Sequence, residues 1–289
     1  MKRYVISSLF FIGMAAAVTN SADPFHDPNL EKIVRNNAIH PAPNTPLTQA
    51  QMDAVGIVSA QDAHVADLTG LERCANLETI YLKNTQVTDL TPIAKLDHLN
   101  ALTIEGGKIR DLTPLAGLTN LEYLDLARNE ISDLAPLAEL KNLKELDLSD
   151  NKIADLRPLQ NLAALRDLRL AGNQITDLDP LGKMQDLAVL DLRKNRVRDI
   201  SVLGKLTAWR DFYLDQNQIA NIAPLLAVPE KDAQLPKGYA PPRTLSLTGN
   251  PLSAAAVSRD LPELRKDLFD LTVDRSGTRL APQCGFSLR

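Results

Sequence analysis

The sequence predicts an α/β repeat solenoid, a right-handed curved stack of short turns with a parallel β-sheet on its concave face, a helical N-terminal cap and a C-terminal cap. Three observations carry this expectation. Apolar residues recur at a period of 22 in three columns held in register. Leu accounts for 49 of 289 residues while Phe, Trp and Tyr together make 4%, so a single aliphatic side chain supplies most of the packing. Each period also contains one short L-x-L stretch followed by a polar turn, as in LDLSDNKIADLRPL from Leu146 to Leu159. A unit of this size cannot bury its own apolar face, so successive units must stack and share one core.

At the N-terminus, MKRYVISSLFFIGMAAAVTNSA places Lys2 and Arg3 ahead of an apolar run from Val5 to Val18 and then small residues, the pattern of a cleavable export signal over residues 1–22. The run is short for a bilayer span, and no later stretch is long and apolar enough for one. Its removal leaves 30 basic and 36 acidic residues, a balance with no general drive toward nucleic acid or anionic membrane. The expected location is the periplasm or the exterior of the cell.

Residues 23–54 read as a helical cap. Asn29 to Asn37 has helical spacing, and Thr48 with Gln51 forms a capping-box start for a second short helix. Val55, Val58, Val65 and Asp67 stand one period before Leu77, Ile80, Val87 and Asp89, so the cap merges into a degenerate first turn. Residues 55–250 then give about eight turns and one more after an insertion at 226–243.

The columns run Leu77, Leu99, Leu121, Leu143, Leu165, Leu187 and Trp209; Leu82, Ile104, Leu126, Leu148, Leu170, Leu192 and Leu214; and Val87, Ile109, Ile131, Ile153, Ile175, Val197 and Ile219. Asn129, Asn151, Asn173, Asn195 and Asn217 follow the strands, where side-chain amides can bond the backbone groups that a tight turn leaves unpaired. Thr85 and Gly107 replace this Asn in earlier turns, which should weaken the ladder there. Asp67, Asp89, Asp111, Asp133, Asp155, Asp177 and Asp199 form a row of carboxylates best explained as turn caps, with Asn221 continuing the role.

From Leu214 to Leu247 is 33 residues, one period plus 11, and Pro229, Pro236, Pro241 and Pro242 make the extra length a looped-out connector. A strand with Asn250, a helix and a closing strand near Leu271 then form the C-terminal cap, residues 251–274, followed by a tail, 275–289.

The unit LxxLxLxxNxIxDLxPLxx resembles the bacterial leucine-rich repeat (LRR) of the internalin type over roughly residues 55–250, and DPFHDPNLEKIVRNNA is similar to that family's helical N-terminal cap. The resemblance implies recognition of a surface or host protein.

Catalytic signals are lacking. His26, His40, His64 and His98 are scattered, no HExxH or paired CxxC spacing occurs, and GxxxxGK[ST], strand-linked GxGxxG and GxSxG are missing. The expectation is a non-enzyme with no cofactor and no metal; Asp125, Glu145 and Asp147 lack the loop of an EF-type calcium site. Cys74 occupies a core-leucine position, and Cys284 lies in the tail. Stacking strands at about 4.8 Å puts the two roughly 40 Å apart, beyond disulfide reach.

Strand alternation sends the residues between core leucines to the concave face. The middle column is Tyr81, Thr103, Asp125, Asp147, Arg169, Asp191 and Tyr213, flanked by Tyr123, Glu145, Asp167 and Asp211 on one side and by Lys83, Glu105, Arg193 and Asp215 on the other. Few of these are expected to serve folding. Aromatic groups with an acidic centre suit a basic protein partner, while Arg169 and Arg193 would neutralise neighbouring acids. The sequence-level reading is an exported, monomeric, non-catalytic module that binds a partner protein through this face. The alternatives are a cytosolic regulatory subunit similar to the repeat proteins that bind phosphatases, if the N-terminal segment does not direct export, and a structural envelope component.

Overall fold

The computed structural model describes residues 24–39, 41, 45–208, 210–227, 244–266 and 270–273. The expected export signal (1–22), His40, Trp209, most of the insertion (228–243), Cys284 and the tail lie outside the described residues.

The first helix, α1 (Pro28–Asn37), begins one residue before the predicted start. Its N-cap, Asp27, is 7% exposed and joins two elements. Oδ1 accepts the amides of Asn29 at 2.8 Å and Leu30 at 3.4 Å, while Oδ2 accepts the amide of Ala66 at 2.7 Å. One carboxylate thus satisfies helix donors and ties the cap to the first repeat. Helix α2 (Gln49–Asp53) starts with the predicted capping box of Thr48 and Gln51.

Ten parallel strands follow in sequence order as one sheet. They are β1 (Ile57–Ala60), β2 (Thr79–Leu82), β3 (Ala101–Ile104), β4 (Tyr123–Asp125), β5 (Glu145–Asp147), β6 (Asp167–Arg169), β7 (Val189–Asp191), β8 (Asp211–Tyr213), β9 (Thr244–Ser246) and β10 (Asp270–Thr272). Through β8 the register equals the repeat: Val58 pairs with Ile80, and Leu124 with Leu146. Phe212 then pairs with Leu245 across the insertion, so the longer connection leaves the sheet continuous. Short 3₁₀ turns return the chain along the opposite wall, six of them with Pro in the first turn or at its start, including Pro92, Pro114 and Pro136.

Between the walls runs a continuous aliphatic core. Leu77, Leu99, Leu121, Leu143, Leu165 and Leu187 are fully buried, as are Cys74 and Met184, which replace leucine in a parallel column. Beyond the repeats, a π-helical turn (Ala256–Asp260) continues into α3 (Leu261–Leu264), and Ala256, Leu261 and Leu264 cover the end of the core.

The polar ladders take the predicted roles. Asn151 Nδ2 donates to the carbonyls of Leu126 at 3.0 Å, Leu148 at 3.0 Å and Ser149 at 3.2 Å, and its Oδ1 accepts the Ile131 amide at 2.9 Å. Asn129, Asn173, Asn195 and Asn217 repeat this pattern, and Asn250 continues it after the insertion. At the first break, Thr85 makes one long contact, 3.4 Å to the Glu105 carbonyl. The turn carboxylates each accept the amide two residues on, as Asp111 does from Thr113 at 2.8 Å, and Asn221 does the same for Ala223. The residue before each ladder Asn is left-handed: Arg128, Asp150, Lys194 and Gln216 have φ of 54° to 58°, and Gly occupies the position at 172 and 249.

Candidate functional site

The strand register aligns the candidate residues by column. Tyr81, Thr103, Asp125, Asp147, Arg169, Asp191 and Tyr213 are successive partners along one face. Tyr123, Glu145, Asp167 and Asp211 form the column two residues earlier, interrupted by Val189. Lys83, Glu105, Arg193 and Asp215 stand just past their strands.

A groove of about 610 Å³ opens on this face over β5 to β8. Of the predicted residues it gathers Asp147, Asp167, Arg169, Asp191, Arg193, Asp211 and Tyr213, together with Glu105. It does not include Tyr81, Tyr123, Asp125, Glu145 or Asp215. It also takes in Arg128, Asp150 and Arg210, which the sequence reading did not select. For Arg128 a signal was available: a long cationic side chain occupies a left-handed turn position that other turns give to Gly.

The expectation that few concave residues serve folding needs correction. Asp125, Asp147 and Asp191 each accept the backbone amide two residues on, from Ala127 at 3.0 Å, Ser149 at 2.9 Å and Arg193 at 3.0 Å. Asp215 accepts the Thr248 amide at 2.9 Å and the Ser246 hydroxyl, joining β8 to β9. These carboxylates satisfy donors where the strands end, so they belong to the fold as well as to the surface.

The arginines are paired across this surface. Arg169 forms a two-pronged contact with Asp167, 3.0 Å from Nε to Oδ1 and 2.9 Å from Nη2 to Oδ2. Arg193 grips Asp191 in the same way, with Nε 2.9 Å from Oδ1. Arg210 pairs with Asp211 at 2.8 Å, and Arg128 with Glu105 at 2.7 Å. Lys83 stands 2.9 Å from the other Glu105 oxygen. That oxygen is buried, and Lys83 is the counter-charge beside it. Lys83 and Arg193 also lie over the rings of Tyr81 and Tyr213, each 5.4 Å from the centroid, so two expected aromatic anchors already carry intramolecular cations.

The remaining acids carry the electrostatic strain. Burial, then the neighbouring Asp147 charge, pushes the Asp125 carboxyl up to about 6. Burial also raises Asp147, and burial with Asp167 raises Glu145. The Tyr123 hydroxyl is raised by burial and by the charges of Asp125, Asp147 and Glu145. Among the described residues, no group of His, Cys, Asp and Glu is arranged to hold a metal ion, and no helix is long and apolar enough to cross a membrane.

This arrangement, a parallel sheet with one turn per strand, an asparagine ladder and a polar open face, defines a leucine-rich-repeat solenoid. Residues 119–163, 141–183 and 163–205 match the family described as "Leucine Rich repeats (2 copies)". The crystal structure of internalin C2 from Listeria monocytogenes is similar, with 34% identity over 70% of this chain and 89% of that one, and a TM-score of 0.68. The chain belongs to the internalin-type leucine-rich-repeat proteins. An LRR protein of Leptospira interrogans shares the fold at 21% identity over 78% of this chain and 62% of that one, TM-score 0.56. So does the LRR ectodomain of a plant membrane receptor kinase from Arabidopsis thaliana, solved with Casparian strip integrity factor 2, at 23% identity over 63% of this chain and 22% of that one, TM-score 0.53. No curated protein sequence matches the chain. The leucine-rich repeat is a protein-interaction fold.

Proposed function

We propose that the chain is an exported, monomeric, non-catalytic binding module that recognises a partner protein of basic character through the concave face of its sheet. The observation that carries this reading is the groove across β5 to β8, whose lining sets six acids, Glu105, Asp147, Asp150, Asp167, Asp191 and Asp211, against four arginines, Arg128, Arg169, Arg193 and Arg210, beside the Tyr213 ring. A rigid sheet presents such groups already ordered, which lowers the entropy lost on association. The Arabidopsis ectodomain, solved with a bound factor, supports partner recognition by this fold. Export rests on Lys2, Arg3 and the apolar run that follows.

The test is capture of envelope and culture-fluid proteins by the chain from residue 23, with an Asp147→Asn, Asp191→Asn, Tyr213→Ala variant alongside. A partner retained by the wild type and lost by the variant is expected. Equal retention by both removes the concave groove from the reading, and the absence of any partner removes the binding role.

A further inference from the structure

The stack does not close evenly at its C-terminal end. In each earlier repeat the residue two past the ladder asparagine is covered by the next turn, so Ile153, Ile175, Val197 and Ile219 are fully buried. Leu252 holds that position after Asn250, and it is only partly buried. The π-helical turn and α3 cover the core through Ala256, Leu261 and Leu264, but they leave a groove of about 330 Å³ beside Leu252. Leu247, Leu252, Val257, Leu261 and Val273 line it, and Val257 is 54% exposed. The groove shares no lining residue with the one over β5 to β8.

The lining offers few polar groups. Pro251 and Pro262 stand in it and contribute no N–H. Asn250 is spent on the ladder: Nδ2 donates to the carbonyls of Leu214 and Leu247, each at 2.9 Å, and Oδ1 accepts the Ile219 amide at 3.0 Å. What remains is the Arg265 guanidinium, which forms no ion pair among the described residues. The other cations of the cap are taken, Arg259 by Asp260 and Lys266 by Glu263. An apolar floor beside one unpaired cation fits a group with an apolar body and a negative charge at its edge. The volume suits one or two large side chains, near the lower end of the range for ligand pockets, about 300–1,000 Å³.

We propose that this terminal groove docks a peptide segment of a partner protein in which a large apolar side chain is followed by a carboxylate. The apolar side chain covers Leu252 and Val257, supplying the burial that a further turn gives every earlier repeat. The carboxylate pairs with Arg265, which fixes the direction of the segment. The surface is separate from the concave face and takes the opposite charge, so it stands or falls independently of the reading given to that face.

The probe is the peptide acetyl-Gly-Leu-Phe-Glu-Gly-amide, titrated by calorimetry at fixed salt into the chain from residue 23. Two comparison peptides carry Gln in place of Glu, or Ser-Ser in place of Leu-Phe. Arg265→Gln and Val257→Asp alter the groove at exposed positions, and Arg196→Gln removes an exposed arginine of the repeats. Thermal melts establish the folded state of each variant. The expected result is binding of the Leu-Phe-Glu peptide, weaker by about tenfold for each comparison peptide and in each groove variant, and within about twofold of wild type in Arg196→Gln. Equal binding of the three peptides, an equal loss in Arg196→Gln, or no binding of the Leu-Phe-Glu peptide by the wild type would overturn the proposal. So would a dimer in sedimentation velocity that Val257→Asp converts to monomer, which assigns the groove to a second copy of the chain.

Discussion

Replacing Asp125 with Asn should stabilise the protein at neutral pH. The carboxyl is raised from an ordinary 3.8 to about 6, first by burial and then by Asp147. At about 1.4 kcal/mol per unit, this corresponds to roughly 3 kcal/mol of opposition to the ionised form. Asn keeps an oxygen for the Ala127 amide, but a neutral acceptor is weaker than a carboxylate by about 1 kcal/mol, leaving a net gain of about 2 kcal/mol. For a domain of this size that raises Tm by about 4–8 °C. The pH dependence has a definite sign. Because the folded carboxyl binds its proton more tightly than the unfolded one, its favourable contribution is complete below about pH 3.8 and is lost as pH rises through about 6. The variant has no such group, so its advantage is absent near pH 4, grows through this window and is constant above it. Melts followed by far-UV circular dichroism from pH 4 to pH 8 at fixed salt provide the measurement. A variant less stable than wild type at pH 7, or a Tm difference identical at pH 4 and pH 7.5, would refute the reasoning.

Asn151→Ala removes four hydrogen bonds, three of them buried, and should lower stability by about 2–4 kcal/mol, with urea denaturation as the check and a loss under about 0.5 kcal/mol counting against the ladder. Gly107→Asn restores the repeat pattern, yet it should destabilise, because a Cβ there meets the Val87 carbonyl oxygen at 2.6 Å and Asn129 Oδ1 at 2.9 Å; a higher melting temperature would contradict this. Lys194→Gly relieves a left-handed backbone at φ 58° and should gain about 0.5–1 kcal/mol after the greater chain entropy of Gly, an effect that unchanged denaturation would exclude. Cys74 is fully buried, and its thiol is pushed up to about 12 by burial and the charges of Asp53 and Glu72, so peptide mapping should find it unlabelled by thiol reagents at pH 8 until the protein unfolds.

The architecture was legible because stacking imposes one chemical demand at a time on each column. An inward position such as Leu124 must be apolar, a ladder position such as Asn151 must both donate and accept, and Asp111 must receive a turn amide; each demand leaves a single-residue mark every 22 positions. The concave face carries no such mark. Whether Arg169 reaches across to Asp147 or back to Asp167 is a rotamer choice, and the alternatives share one sequence. The cations above Tyr81 and Tyr213 are hidden for the same reason, since Lys83 lies two residues past the ring it covers, across a core leucine, while Arg193 lies two residues past Asp191, the register partner of Tyr213 on the neighbouring strand. The second role of Asp125 and Asp191 also escapes a column reading, because their strand-end bonds recur only where the column contains Asp. Gly107 reads as a missing ladder residue, whereas the close approach of the Val87 carbonyl leaves no room for a side chain.

The middle column separates what folding requires from what the surface adds. Tyr81, Thr103, Arg169 and Tyr213 stand in that column, and their strands pair in the same register as those bearing Asp125 and Asp147. Parallel pairing therefore does not depend on a carboxylate at this position, and the amide caught by Asp125 is within reach of a neutral side chain such as Asn. The charge itself is what the stack can do without. Two adjacent carboxylates, one of them almost fully buried, oppose a fold whose aliphatic core is extensive enough to hold them. If the concave face takes the basic partner proposed for it, neutralising them should move stability and affinity in opposite directions: the Asn form melts higher and binds the partner less tightly. A purely structural role predicts that both quantities fall or stay unchanged together.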